Sequence, residues 1–342
     1  MAPSDLGSRR SSDNFSTLAF TTLDVFTNTP YEGNPLALIS IPASMRLSLS
    51  KTQKQAIAKE FNLSETIFLH ETANPSIPEW EVEIFTTDEE LPFAGHPTIG
   101  SAYYALSRYM NLNTRDGAGT GMGDWKGQIE GTLITKAGRI PISYTSTKGH
   151  RRGSKVQASI PHNIHIHKHN LASFSHRRSV GLSVIPSIRK AELAAPIVSI
   201  VKGMTFLLIE LQNLELLSQV NIGGDQVDFM GVLDLKDGWN ESFVAKYYYV
   251  VSPFETGDSA VQIRSRMVET MLEDPATGSA ACTLSSYLSL EAGKSAKFEI
   301  TQGVEMGRRS VIGVEVDVVG GKVESVKLSG SAVVIMEGSL RI

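Results

Sequence analysis

One short pattern occurs twice in this chain, once in each half. Pro97-Thr98-Ile99-Gly100-Ser101-Ala102-Tyr103-Tyr104-Ala105-Leu106 and Pro275-Ala276-Thr277-Gly278-Ser279-Ala280-Ala281-Cys282-Thr283-Leu284 both read Pro-x-x-Gly-Ser-Ala-x-x-x-Leu. Each follows an acidic stretch and a predicted strand, and each opens a predicted helix. A chain that does this twice is expected to fold as two related halves, each with a helix N-terminus behind a Gly/Ser/Thr loop. Helix starts carry unsatisfied N–H groups and the positive end of the dipole, so they attract anions. Two such ends facing one cleft would grip a carboxylate or an enolate-like charge. The plainer reading is that Gly100 and Gly278 merely permit tight strand-to-helix turns. The paired occurrence favours the first.

Hydrophobic periodicity supplies the other elements. A strand is predicted over 18–25, and a short apolar one over 36–41 after the turn signal Glu32-Gly33-Asn34-Pro35. Leu49, Gln53, Ala56, Ile57 and Phe61 have helical spacing, with Ser48 or Ser50 as N-cap. Trp80, Val82 and Ile84 alternate with Glu81 and Glu83, the period of a half-buried strand. Residues 92–100 read as a Gly/Pro-bounded loop leading to a helix over 101–109. A hairpin is expected over 132–144, a Gly-rich irregular stretch over 111–131 and a basic linker over 149–155. Further strands are expected over 156–160, 197–200, 205–211, 243–252, 261–267, 310–319, 323–328 and 332–336. Strands outnumber helices and the connections are often hairpin-like, so the fold class is α+β rather than a doubly wound sheet.

Bulk composition narrows the functional classes. The net charge is -4 over 342 residues and no basic stripe interleaves with aromatics, which argues against a nucleic-acid partner. No apolar run reaches the roughly eighteen residues of a membrane span. The polar start lacks the apolar core of a signal peptide and reads as a disordered tail over 1–16, so a cytoplasmic location is expected. The single cysteine, Cys282, allows no intramolecular disulfide, which suits a reducing compartment.

Few residues offer chemistry. Glu65 sits at a helix-to-strand junction among apolar neighbours, where lost solvation would raise its pKa as a general acid/base requires. By that segment alone it could equally be a surface turn residue. His96 stands in the Gly/Pro-bounded loop and could orient a substrate or relay a proton. Asp274 could N-cap the following helix, hold a substrate amine or hydroxyl, or do both. His162, His165, His167, His169 and His176 form a cluster, and His165, His167 and His169 alternate so as to share a strand face. No cysteine or carboxylate completes a familiar ligand spacing there and the flanks are cationic, so a solvated loop is expected and no metal. Dinucleotide, phosphate-loop and nucleophile-elbow motifs are missing.

At these residues the chain resembles the PhzF-like (phenazine-biosynthesis) family, which shares its fold with diaminopimelate epimerase. The blocks are Asp24-Val25-Phe26-Thr27 through Gly33-Asn34-Pro35, Leu63-Ser64-Glu65-Thr66, Phe85 through Thr98, and Glu273 through Ala280. Gln302-Gly303 with Met306-Gly307-Arg308 is a weaker fifth. The resemblance implies two pseudo-symmetric halves, each a curled, mostly antiparallel sheet or barrel around a central helix. They would span 17–150 and 151–331, with 332–342 returning to the first half and the site between them. It implies a metal-free, cofactor-free isomerase acting on a small carboxylate-bearing substrate, with Glu65 as the acid/base. His96 and Asp274 would join it, with Ser64, Gly95, Gly278 and Ser279 on the substrate. It also implies a homodimer. One cysteine excludes the two-thiol racemase mechanism but not a one-base epimerisation. Phe85-Thr86-Thr87 and Arg308-Arg309-Ser310 depart from the family's Phe-Thr-Pro and Arg-Pro-Ser, and the first departure bears on substrate preference. The alternative is a catalytically silent relative acting as a binding or scaffold protein.

Overall fold

The computed structural model describes residues 16–46, 48–72, 74, 76–113, 127–146, 154–174, 181–221, 227–229, 231–252, 260–268 and 272–342. The tail over 1–15, most of the 149–155 linker and His176 lie outside these. The first run of elements is β1 (Thr17–Val25), β2 (Asn34–Ile41), α1 (Lys51–Phe61), β3 (Thr66–His70), β4 (Glu79–Phe85), β5 (Glu90–Leu91), α2 (Gly95–Asn113), β6 (Gly127–Thr135), β7 (Gly138–Ser146) and β8 (Lys155–Ser159). Next come β9 (His165–Ile166), α3 (Pro186–Ala194), β10 (Ile197–Val201), β11 (Met204–Glu210), α4 (Leu214–Ser218), β12 (Phe243–Val251), β13 (Val261–Val268) and β14 (Glu273–Asp274). The chain ends with α5 (Gly278–Ala292), β15 (Ala296–Gln302), β16 (Ser310–Val319), β17 (Lys322–Gly330) and β18 (Ala332–Arg341).

The pairing pattern repeats ladder for ladder. β1–β2 is antiparallel, β2–β3 parallel, β3–β4 and β4–β5 antiparallel, β4–β6 parallel, and β6–β7 and β7–β8 antiparallel. The same sequence of senses runs through β10–β11, β11–β12, β12–β13, β13–β14, β13–β15, β15–β16 and β16–β17. The protein is thus an α+β fold of two equivalent halves, each built around one helix. β8 pairs with β17, and β18 crosses back to pair with β1 along its length, so the two sheets share their hydrogen bonding.

Local chemistry explains where the helices begin and end. Ser50 accepts the Gln53 N–H while the Gln53 side chain returns to the Ser50 N–H, a capping box that starts α1 two residues after the expected Leu49. Asn62 in the left-handed region ends that helix and turns the chain toward Glu65 and β3. The larger correction concerns α2, expected to begin at Ser101 but starting at Gly95. Pro97 had suggested a loop. It instead occupies the first turn, where a missing N–H costs no helical bond. The helix is anchored by the Thr98 N–H and hydroxyl, both donated to the Ala94 carbonyl. α5 is buried around its whole first half, from Gly278 to Ser286, as a central helix must be. Among the described residues no helix is long and apolar enough to cross a membrane.

Candidate active site

The two central helices meet start to start. A Cβ on Gly95 would lie 2.9 Å from the Gly278 Cα and 3.1 Å from the Ser279 nitrogen, and one on Gly278 would lie 3.1 Å from the Gly95 Cα. Only glycine permits this approach, and it brings both positive helix ends to one point. The repeat read from the sequence is therefore out of register: Gly278 corresponds in space to Gly95, not to Gly100. Gly100 is instead a packing residue, since a Cβ there would strike the Leu36 side chain at 2.4 Å. His96 and Ser279 are the second residues of their helices. Both are buried, so His96 lies in a helical turn rather than a loop.

Glu65 arrives from the α1–β3 junction, its carboxyl hydrogen-bonded by the exposed Ser64. Its Oε2 stands 3.7 Å from the Nε2 of His96. Both atoms are buried and, among the described residues, neither has a hydrogen-bond partner. Buried polar atoms are rarely left unpaired in folded proteins, so two that face each other across a gap mark a place where a reacting group fits. Burial raises the Glu65 carboxyl to about 7, with Ser64 opposing the shift. Burial lowers His96 to about 4, against the attraction of Asp274, so its ring is neutral at neutral pH. The amide of Asn34 lies 3.4 Å from the His96 Nδ1. That amide gives its two protons to Asp274 and Ala276, so it faces the imidazole without fixing its tautomer.

Asp274 completes the constellation, though not as a helix cap. Thr277 holds the N-cap position of α5, and its hydroxyl donates to Asp274 Oδ2 at 2.6 Å. Asn34 Nδ2 donates to Asp274 Oδ1 at 2.7 Å and to the Ala276 carbonyl at 2.9 Å. Gln302 Nε2 donates to the Asp274 carbonyl, and its Oε1 accepts from the Thr277 N–H and the Tyr247 hydroxyl. Burial raises the Asp274 carboxyl to about 6; His96 and the Thr277 hydroxyl pull it down and Glu65 pushes it up.

Asn34 and Gln302 stood in the sequence only as a turn residue and part of a weak block. Their side chains fix Asp274 from far along the chain. Gly33, in the left-handed region, sets up Asn34, because a Cβ there would stand 2.4 Å from the Val25 carbonyl. Arg308 then clamps this loop across the halves, donating to Asp24 Oδ1 at 2.6 Å and to the Gly33 carbonyl at 2.8 Å. Cys282 is fully buried in α5 and its thiol is pushed far above its ordinary range by that burial.

Known proteins resemble this chain along nearly its whole length. Residues 23–338 fit the phenazine biosynthesis-like (PhzC-PhzF) family. An uncharacterized isomerase of Mesorhizobium japonicum is 30% identical over 93% of this chain and 97% of its own. The trans-2,3-dihydro-3-hydroxyanthranilate isomerase of Pseudomonas aeruginosa is 28% identical over 93% of this chain and 98% of its own. The crystal structure of a PhzF-family protein of Bacillus anthracis has the same fold, with a TM-score of 0.67 at 20% identity over 96% of this chain and all of that one.

Proposed function

The chain belongs to the phenazine biosynthesis-like family and is an isomerase, and we propose that it shifts a proton on a small carboxylate-bearing substrate with Glu65 as the single acid/base. The observation that carries this reading is the unpartnered pair of Glu65 Oε2 and His96 Nε2, facing each other 3.7 Å apart. A carboxyl held at about 7 is populated in both protonation states at neutral pH, so it can take a proton and return it. The substrate carboxylate and the enolate-like charge that develops beside it lie at the joined starts of α2 and α5. There the N–H groups near Gly95 and Gly278 need no reorganisation to receive negative charge. His96, neutral, turns its Nε2 toward the reacting group. Asp274, fixed by Asn34 and Thr277, accepts from a substrate amine or hydroxyl.

A proton taken from one carbon and delivered to another gives an isomer, and return to the same carbon from the same carboxyl restores the substrate. One base therefore suits a proton shift better than racemisation, which in its two-thiol form needs a second acid that the buried Cys282 does not supply. The relative from Pseudomonas aeruginosa makes trans-2,3-dihydro-3-hydroxyanthranilate the first compound to test, followed by other cyclic dienoic and amino-acid carboxylates. Turnover by wild type that falls about 10²- to 10⁴-fold in Glu65→Gln supports the assignment. Undiminished turnover in that variant overturns it.

A further inference from the structure

We propose that the chain binds one divalent first-row metal ion, of the zinc type, between His165, His167 and Asp234 on the β9 edge of the second half. The sequence lacked a carboxylate at a ligand spacing. The fold brings one from far along the chain: Asp234 Oδ2 lies 2.8 Å from His165 Nε2, and one ligand atom from each of the three residues lies within 4.8 Å of the others. The segment is irregular as its composition suggests, but it is anchored at two points. His165 belongs to β9, which pairs with β10, and His167 is 5% exposed.

The hydrogen bonds around His167 fix its tautomer. Ser242 donates its only hydroxyl proton to the Phe243 carbonyl at 3.0 Å. The Thr205 hydroxyl, 2.6 Å away, must then donate to Ser242, and Ser199, 2.6 Å from Thr205, must donate to Thr205. Ser199 is left able only to accept from His167 Nε2, at 2.9 Å. The proton of His167 is therefore on Nε2, and the Nδ1 lone pair faces Asp234, whose N–H it accepts at 3.1 Å. This is the second shell that metal-binding histidines use: one nitrogen held as donor by a polar partner, the other turned to the metal. An incoming cation displaces one neutral hydrogen bond.

The other two ligands are positioned but bonded to each other, and loading rearranges them. The His165 ring stacks on Trp239, with centroids 4.4 Å apart and planes 10° from parallel, which holds its orientation. Its side chain is 27% exposed and that of Asp234 24%, so an ion can enter and keep solvent on its open positions. Metal bonds of about 2.0–2.1 Å at tetrahedral angles separate ligand atoms by about 3.3 Å. Loading thus opens the His165–Asp234 contact by about half an ångström. The His165 proton moves from Nε2 to Nδ1 so that Nε2 can ligate. Two imidazoles and one carboxylate suit zinc, nickel, cobalt or copper rather than calcium or magnesium.

Calorimetric titration of the chelator-treated full-length chain with Zn²⁺ tests this, with Trp fluorescence under Cu²⁺ as a second readout because Trp239 touches a ligand. The expected result is one Zn²⁺ per chain, with affinity reduced more than about 100-fold in His165→Ala and Asp234→Asn and about 10- to 100-fold in Ser199→Ala. His162→Ala and His169→Ala should leave it unchanged. Retained folding of each variant, checked by circular dichroism, separates lost ligands from lost structure. Absence of stoichiometric binding, or binding that survives His165→Ala and Asp234→Asn, overturns the proposal.

Discussion

Gly95 and Gly278, far apart in the chain, touch so closely that neither can carry a side chain. A Cβ on either would come within 3.1 Å of the other's Cα. This contact joins the halves at the site itself, so Gly95→Ala must push the two helix starts apart. We expect a loss of about 1–3 kcal/mol in stability from the overpacking. Activity should fall about 10²-fold, because the donors near Gly95 and Gly278 no longer address one substrate group. Urea denaturation and steady-state kinetics on the same preparation check both.

Asn34 predicts a purely positional loss. Its amide holds Asp274 Oδ1 and the Ala276 carbonyl and faces His96. In Asn34→Ala the Asp274 carboxyl loses one of its anchors and kcat/KM should fall about 10²-fold. The buried acceptors it leaves behind cost about 1–3 kcal/mol. An Asn34→Ala variant with unaltered kinetics would remove this residue from the site.

The pH dependence has a definite sign. A carboxyl serving as base must be ionised, and burial holds that of Glu65 at about 7, so the proposed role predicts that kcat/KM rises with pH through that value. The same shift is a stability statement. The folded state binds the Glu65 proton more tightly than the unfolded chain, so this contribution is whole below about 4.5 and is lost as pH rises through about 7. His96 behaves oppositely: lowered to about 4, it contributes above 6.5 and loses that as pH falls through 4. Glu65→Gln should therefore be more stable than wild type at pH 8, by on the order of 1–3 kcal/mol, and not at pH 4. Paired thermal melts at the two pH values test it.

Arg308 supports the site from outside. It pairs with Asp24, whose side chain is 6% exposed, and holds the carbonyls of Glu32 and Gly33. Arg308→Ala leaves a largely buried carboxylate without its cation. The expected cost is about 1–3 kcal/mol, less than for a fully buried pair because the Arg308 side chain is 28% exposed. Asp24→Asn in the same background should recover part of it.

Cys282→Ala predicts nearly unchanged kinetics, within about twofold, since the thiol is a small core group and not a reactive one. Loss of activity on that substitution, with the fold retained, would point to thiol chemistry instead.

Much of this was legible in the sequence, and the rest was hidden for identifiable reasons. The α+β class followed from strand-length apolar runs such as the one that became β2. The family blocks already contained Glu65, His96, Asp274 and the Gly278-Ser279 turn, which the fold gathers at one place. The start of α2 differs because Pro97, between Gly95 and Gly100, signals a loop, yet is harmless in a first turn. The repeat was misaligned because ten matching letters do not record which glycine touches which. Asn34 and Asp274, separated by 240 positions, meet only through the placing of β2 against β14. Asp234 likewise reaches His165 from 69 residues away, a pairing that no local spacing can reveal.

The central claim is that the Glu65 carboxyl carries the proton, and proton NMR in deuterated water tests it most directly. Wild type and Glu65→Gln would be incubated with trans-2,3-dihydro-3-hydroxyanthranilate and the carboxylate panel, following each carbon-bound proton. Deuterium entering one defined carbon with wild type, and absent with Glu65→Gln, is the result expected. Equal deuterium uptake by both proteins, or isomerisation by the variant at the wild-type rate, would contradict it.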